Sequence, residues 1–201
     1  MRIDHVIYAT SDLDVAAARI ESQLAVRVVA GGRHEGLGTH NRIVPLGNGY
    51  LELLAVYDAE EATRSALGSA LQARLEQAGD GLMAWAVAVD DVQPTAARLN
   101  TWVSTIAREG LTAQLTGLLE AMREPFLPFF VARAPGVPDP GRGADTGGIS
   151  WIEVSGDEER LARWLGGAEL PVRISPGPAA VCAVGIGERE LRTPAEARGA
   201  G

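Results

Sequence analysis

The sequence of 201 residues contains no lysine, so all 18 of its basic residues are arginines. Enzymes that form a Schiff base need a lysine amine, and nucleotide-binding P-loops place a lysine on the phosphates. Both classes are therefore excluded. The 26 acidic residues give a formal net charge of −8. An acidic chain without a basic stripe also argues against a nucleic-acid or anionic-membrane partner.

Cysteine and long apolar segments are scarce as well. Cys182 is the only cysteine, which excludes an intrachain disulfide and a cysteine-based zinc cluster. The longest apolar run, Leu82 to Val89, is far shorter than the roughly 20 residues that span a bilayer. The chain opens directly into a strand-like pattern, without a basic segment followed by a long apolar one. We therefore expect a soluble cytoplasmic protein that binds neither nucleic acid nor a membrane.

Hydrophobic periodicity predicts a strand, a helix and three further strands in residues 1–57. Residues 2–10 alternate between two faces, with Ile3, His5 and Ile7 on one and Asp4 on the other, which is typical of a half-buried strand. Apolar residues then recur at the spacing of an amphipathic helix. The three later strands are predicted at residues 26–30, 41–46 and 50–56.

The opening of this pattern recurs in the second half of the chain. The segment Ala17-Ala18-Arg19-Ile20 is echoed by Ala96-Ala97-Arg98-Leu99, and Asp12 is matched by Asp91 at the same spacing. A strand and a helix in matching register indicate an internal repeat. The predicted parts are a first module (1–57), a linking helix (58–80), a second module (81–134), a proline- and glycine-rich linker (135–148), a C-terminal βαββ extension resembling a partial third module (149–192) and a tail (193–201).

The stretches DHVIYATSDLD and GRHEGLGTHNRIVPLGNGYLEL resemble the glyoxalase-like proteins of the vicinal oxygen chelate superfamily. The resemblance is close from Ile3 to Val56, looser in the second module, and limited to the pattern beyond Pro135. It implies an α+β fold in which paired βαβββ modules form an open half-barrel cup with helices on its outer side. It also implies a small-molecule ligand in the cup and, since such cups often pair, a homodimer.

In that superfamily a divalent metal sits at the base of the cup, held by a histidine on the first strand and a glutamate on the last strand of each module. His5 and Glu52 fall on these positions, so the resemblance makes them candidate metal ligands and catalytic residues. The second module instead offers Ala84 in place of the histidine and phenylalanines, among them Phe129, in place of the carboxylate. The sequence thus keeps half of a site for zinc, nickel, iron or manganese. The other interpretation is that His5 hydrogen-bonds Glu52 or a backbone carbonyl in a polar pocket and binds no metal.

Further candidates for ligand binding lie around this pair: His34, His40, Asn41, Arg42, Tyr50 and Trp85. The two loop histidines, flanked by glycines, are either a source of a third metal ligand or exposed connector residues. Asn41 and Arg42 suit an anionic or carbonyl-bearing substrate, although Arg42 could equally pair with a surface acid. Trp85 lies on the first strand of the second module, where it is expected to line the cup.

Two classes of function follow from these residues. The first is a lyase, isomerase or dioxygenase in which a metal on His5 and Glu52 polarises substrate oxygens, with Glu52 or a loop histidine moving the proton. The second is a metal-free protein that sequesters a drug or metabolite. The missing second-module ligands favour sequestration. The retained His5–Glu52 pair favours an enzyme, because a cup that only sequesters a ligand has no need of that pair. A carboxylate that faces an apolar cup also needs a partner.

Overall fold

The structure is a computed structural model, and it describes residues 1–108 and 111–193, so the predicted tail from residue 194 onward lies outside the described residues. The strands in these ranges are β1 (Arg2–Ala9), β2 (Val29–His34), β3 (Thr39–Pro45), β4 (Tyr50–Val56), β5 (Gly81–Ala88), β6 (Val103–Arg108), β7 (Leu111–Thr116), β8 (Phe129–Arg133), β9 (Ile149–Ser155), β10 (Val172–Ser175), β11 (Ala180–Ile186) and β12 (Arg189–Arg192). The helices are α1 (Leu13–Leu24), α2 (Ala59–Thr63), α3 (Ala66–Ala78), α4 (Gln93–Leu99), α5 (Leu118–Arg123) and α6 (Glu158–Leu165).

An eight-stranded sheet in the order β2-β3-β4-β1-β5-β8-β7-β6 forms the cup. Its two halves repeat one pairing, since β1 runs parallel to β4 and β5 runs parallel to β8. The halves join where β1 and β5 pair antiparallel. The predicted α+β fold of paired βαβββ modules around a half-barrel is therefore confirmed.

A β-bulge interrupts β1 at Asp4. The register against β5 shifts between Ile3 and His5, so Ile3 packs with Val6 and Tyr8 in one apolar cluster while Ile7 belongs to the other. The simple alternation that placed Ile3 beside His5 is wrong at this point, because a bulge inserts one residue and reverses the faces beyond it. The bulge leaves His5 on the inner face of the cup.

The sheet is packed on both faces. Its outer face contacts α1, α6 and the second sheet, forming the larger apolar cluster. Its inner face contacts Leu67 and Leu71 of α3 and Ala121 of α5. The expectation that the helices lie on the outer side is therefore wrong for α3 and α5, which narrow the cup from within.

Several boundaries differ from the sequence-based expectations. The linking helix predicted in residues 58–80 is two helices, because the Ser65 hydroxyl accepts a hydrogen bond from the Gly68 backbone N–H at 2.9 Å and caps the start of α3. Strand β2 continues through the glycine pair into the predicted loop, so that His34 closes a strand. Strand β6 was not predicted.

The C-terminal segment forms its own four-stranded sheet in the order β10-β9-β11-β12. Its first strand, β9, runs parallel to β10 and antiparallel to β11, whereas β1 pairs with the last strand of its module. Within the described ranges, the helices are all too short or too polar to cross a membrane.

Candidate functional site

The inner face of the sheet encloses a cavity of about 80 Å³ between the two modules. Most of its wall is apolar. The apolar lining residues are Ile7, Ile43, Leu67, Ile106, Ala113, Leu115, Leu118, Phe129, Val131 and Pro140. The polar ones are His5, His34, Asn41, Tyr50, Glu52 and Arg133. A few converging polar groups in an otherwise apolar concavity are typical of a small-molecule site.

The carboxylate of Glu52 stands at the centre of the polar groups. Its side chain is 11% exposed, and its two oxygens lie 3.7 Å from the Nε2 atoms of His5 and His34, one oxygen to each ring. The side-chain amide of Asn41 donates a hydrogen bond to Oε1, the oxygen that faces His34. The oxygen that faces His5, Oε2, is therefore not the acceptor of the Asn41 hydrogen bond.

Asn41 is held in a fixed orientation. The Gly32 backbone N–H donates to its Oδ1 at 2.9 Å, so its Nδ2 is directed to Glu52 and, at 3.2 Å, to His34 Nε2. Because an amide nitrogen only donates, His34 Nε2 accepts, and the proton of that ring lies on Nδ1, which is 2.9 Å from the Thr39 hydroxyl. A Cβ on Gly31 would lie 2.0 Å from Asn41 Oδ1. The glycine is thus required for the close approach of β2.

A buried ion pair between Asp4 and Arg133 contacts the Nδ1 side of the His5 ring. Arg133 donates two hydrogen bonds to the Asp4 carboxylate, at 2.6 and 2.7 Å, and His5 Nδ1 lies 2.7 Å from Asp4 Oδ2. Burial by itself raises the pKa of the Asp4 carboxyl, but the hydrogen bonds from Arg133 and His5 outweigh it and hold that pKa well below its usual range. Asp4 is therefore an anion, His5 donates through Nδ1, and Nε2 is the nitrogen that faces Glu52.

Sequence reasoning missed Asp4 and Arg133. A signal for Asp4 was present in the sequence, because simple alternation groups it with the apolar Val6 and Tyr8, and a buried acid needs a partner. Nothing local identified Arg133 as that partner, since the two residues are 129 positions apart.

Tyr50 closes the side of the cavity next to His5. The two rings stack with centroids 4.5 Å apart, and Arg133 Nη2 lies 3.4 Å from the Tyr50 hydroxyl oxygen. Burial first, and then the nearby charges of Glu52 and Asp4, raise the pKa of Tyr50 well above its usual value. The hydroxyl is therefore protonated at neutral pH and can donate.

The structure brings His5, Glu52, His34, Asn41 and Tyr50 together in the cavity, but it does not bring His40, Arg42 or Trp85 there. His40 and Arg42 flank Asn41 on β3 and so point away from the cup. His40 packs at 5.6 Å on the ring of Tyr57, and Arg42 pairs with Asp14 of α1. Trp85 is fully buried in the outer cluster, where its Nε1 donates to the Phe126 carbonyl at 3.2 Å.

The donor set does not fit a divalent metal held as in the superfamily. In the first module, Ile7 of β1 is the register partner of Glu52 on β4; in the second module, Ala86 of β5 is the register partner of Phe129 on β8. Phe129 therefore occupies the position that corresponds to Glu52 and supplies no carboxylate. His34 Nε2 already accepts from Asn41. His5 and Glu52 are left as two donors, fewer than the three that metal sites with an open position use. Among the described residues, no group of three or more His, Cys, Asp or Glu is placed to hold a metal ion.

Comparison with known families supports this picture of the fold. The sequence model of the glyoxalase-like domain matches residues 3–170. The chain belongs to this family. No curated protein matches the chain in sequence.

Solved structures share the architecture of this glyoxalase-like protein at low identity. A hypothetical protein from Staphylococcus aureus superposes with a TM-score of 0.71 at 16% identity, covering 91% of this chain and 89% of the other. A Streptomyces coelicolor methylmalonyl-CoA epimerase bound to 2-nitronate-propionyl-CoA has a TM-score of 0.53 and 23% identity, covering 67% of this chain and 98% of the other. A methylmalonyl-CoA epimerase with methylmalonyl-CoA and NH₄⁺ gives 0.53 and 23%, covering 69% and 98%. These likenesses show the fold.

Proposed function

We propose that this protein binds a small, uncharged α-hydroxycarbonyl compound in the cup and transfers a proton on it, as an isomerase or lyase that uses no bound metal. The observation that carries the proposal is the position of Glu52. Its buried carboxylate oxygen Oε2 lies 3.7 Å from His5 Nε2. Because His5 donates its Nδ1 hydrogen to Asp4, Nε2 is a hydrogen-bond acceptor, and so is the carboxylate oxygen. A ligand group that carries a hydrogen, such as a hydroxyl or an acidic C–H, complements such a pair.

The chemistry assigns one role to each residue. The Glu52 carboxylate takes the proton from the carbon next to the carbonyl, and the electron pair of that C–H bond moves toward the carbonyl oxygen. His5 Nε2 accepts the hydrogen bond of the neighbouring ligand hydroxyl. Tyr50 donates its hydroxyl hydrogen to the developing oxyanion. The proton that Glu52 takes comes from the carbon that carries the hydroxyl. The hydroxyl proton of the resulting enediolate then passes to the oxyanion by way of His5 Nε2, and Glu52 returns its proton to the former carbonyl carbon, which completes an isomerisation to the α-hydroxyaldehyde.

One further observation supports a carbonyl-bearing ligand. The same fold holds acyl-CoA ligands in the solved methylmalonyl-CoA epimerases.

The homodimer implied by the resemblance is part of the proposal, and light scattering of the purified protein tests it.

The test is solvent exchange on 1-hydroxy-2-butanone in D₂O, followed by NMR in the presence of EDTA. We expect the wild type and the control His40→Gln, which lies outside the cup, to catalyse deuterium incorporation next to the carbonyl. Glu52→Gln should lower that rate at least about 100-fold, the usual contribution of a general base, while keeping the ligand affinity within a few-fold.

Loss of exchange in EDTA that zinc, nickel, iron(II) or manganese restores would contradict the metal-free mechanism. Equal exchange rates for Glu52→Gln and the wild type would contradict the role of Glu52. Binding without any exchange would favour the second candidate, a sequestering protein. The nearly apolar cavity wall favours that candidate.

A further inference from the structure

A second apolar concavity opens beside the cup, and we call it the outer groove. It has a volume of about 250 Å³ and is formed where the first turn of α3, the start of α5 and strand β6 meet. Three of its lining residues, Leu67, Ile106 and Leu118, also line the cup. These three side chains therefore form a wall that the two cavities share.

The outer end of the groove is unusually apolar for a surface. Trp102 is 87% exposed and Leu119 is 42% exposed, and both line the groove. Exposed single apolar residues are ordinary, but a large exposed aromatic at the mouth of an apolar concavity that joins a binding site marks an interaction surface. The groove thus has an apolar lining that includes both the wall shared with the cup and the exposed Trp102.

The charges of the groove restrict what can lie in it. Among the described residues that line it, Glu120 is the only charged one, and the hydroxyls of Ser104 and Thr105 are the other polar side chains. A phosphate-bearing tail, such as that of a coenzyme A ester, needs cationic or N–H donors, and the described lining includes no arginine. An uncharged hydrocarbon tail matches the lining.

We infer that the ligand is amphiphilic: its α-hydroxycarbonyl head lies in the cup and an unbranched hydrocarbon tail runs through the outer groove to Trp102. The inference rests on the proposed function, because the head is placed by Glu52 and His5. The relative volumes agree with this division, since the cup of about 80 Å³ holds only a small head while the groove holds about 250 Å³. The tail length, rather than the head, then sets the affinity.

The experiment measures the affinity of four 1-hydroxy-2-alkanones with 4, 6, 8 and 10 carbons by calorimetry. Each methylene that enters the groove should tighten Kd by about two- to fourfold, so the ten-carbon ligand should bind at least about 50-fold more tightly than the four-carbon one. The ten-carbon ligand should also shift Trp102 fluorescence to shorter wavelength, and the four-carbon ligand should not.

Two exposed apolar residues provide matched variants. Trp102→Ala should weaken binding of the ten-carbon ligand at least about fivefold and leave the four-carbon ligand unchanged. Val15→Ala is the control, because Val15 is 64% exposed on α1, away from the groove, and it should change neither affinity. Neither replacement removes a buried side chain, so both variants should fold.

The outcomes separate this inference from the proposed function. If the four-carbon ligand binds and exchanges but affinity does not rise with chain length, the groove is not the tail site while the proton-transfer site stands. A chain-length effect that Trp102→Ala leaves intact would likewise overturn the groove. If Trp102→Ala converts a dimer to a monomer without altering affinity, a second copy occupies the groove. If no member binds, both proposals are wrong.

Discussion

Removing the charge of Asp4 should destabilise the protein more than any other single isosteric change near the cup. In Asp4→Asn the guanidinium of Arg133, only 12% exposed, keeps its charge but loses the carboxylate that accepts two of its hydrogen bonds. Breaking a buried ion pair by removing one partner costs about 3–5 kcal/mol. Since domains of this kind have about 5–15 kcal/mol of total stability, the variant should be close to its folding limit.

The assay is urea unfolding at pH 7, followed by the fluorescence of the buried tryptophans Trp85 and Trp164. Asp14→Asn is the matched control, because Asp14 also pairs with an arginine, Arg42, but is 83% exposed. We expect the control to cost less than about 1 kcal/mol, as exposed pairs do. Replacing both partners, as in Asp4→Leu with Arg133→Met, should recover most of the loss, because no buried charge is then left unpaired.

The pH dependence follows from the direction of the pKa shift. The pKa of Asp4 is lower in the folded protein than in the unfolded chain, so its contribution to stability is complete above its unfolded pKa of about 3.9 and is lost as the pH falls below it. As the pH is lowered below about 4, wild-type stability should therefore fall more steeply than that of Asp4→Asn. Parallel pH profiles, or a cost below about 1 kcal/mol at pH 7, would refute the reasoning.

Three further outcomes are expected. Gly31→Ala should lower affinity for the four-carbon hydroxyketone about tenfold and cost about 1–3 kcal/mol in urea unfolding, because its Cβ would lie 2.0 Å from Asn41 Oδ1. Trp85→Ala should cost about 3–5 kcal/mol yet leave the affinity of the folded protein unchanged; a selective loss of affinity would place Trp85 at the ligand after all. In calorimetry, His40→Ala should bind the four-carbon hydroxyketone like the wild type, while His34→Ala should lose at least about tenfold in affinity. The opposite result would contradict the placement of His34 inside the cup and His40 outside it.

The sequence was enough to name five of the six polar side chains that line the cup. Side chains alternate strictly along a strand, so the sequence placed Tyr50 and Glu52 of β4 on one face, where the structure has them. The same rule, applied to β3, separates Asn41 from His40 and Arg42, and the prediction that all three line the cup disregarded it.

Strand β5 shows where alternation gives no answer. Its sequence, GLMAWAVA, is apolar on both faces and buried along almost its whole length, so periodicity does not say which face turns inward. Trp85 was assigned to the cup on its strand position alone. The tertiary structure decides the question, since Trp85 belongs to the outer cluster and its Nε1 donates to the Phe126 carbonyl.

The sequence by itself determined the family, the paired modules, the His5–Glu52 pair and the loss of the second-module ligands at Ala84 and Phe129. These are properties of residue type and short-range spacing. Only the tertiary structure decided that Asp4 meets Arg133, because the contact depends on pairing β1 to β5 and β5 to β8 across 129 positions. It also decided that α3 and α5 enter the cup, since helical periodicity identifies an apolar face but not the surface that the face covers.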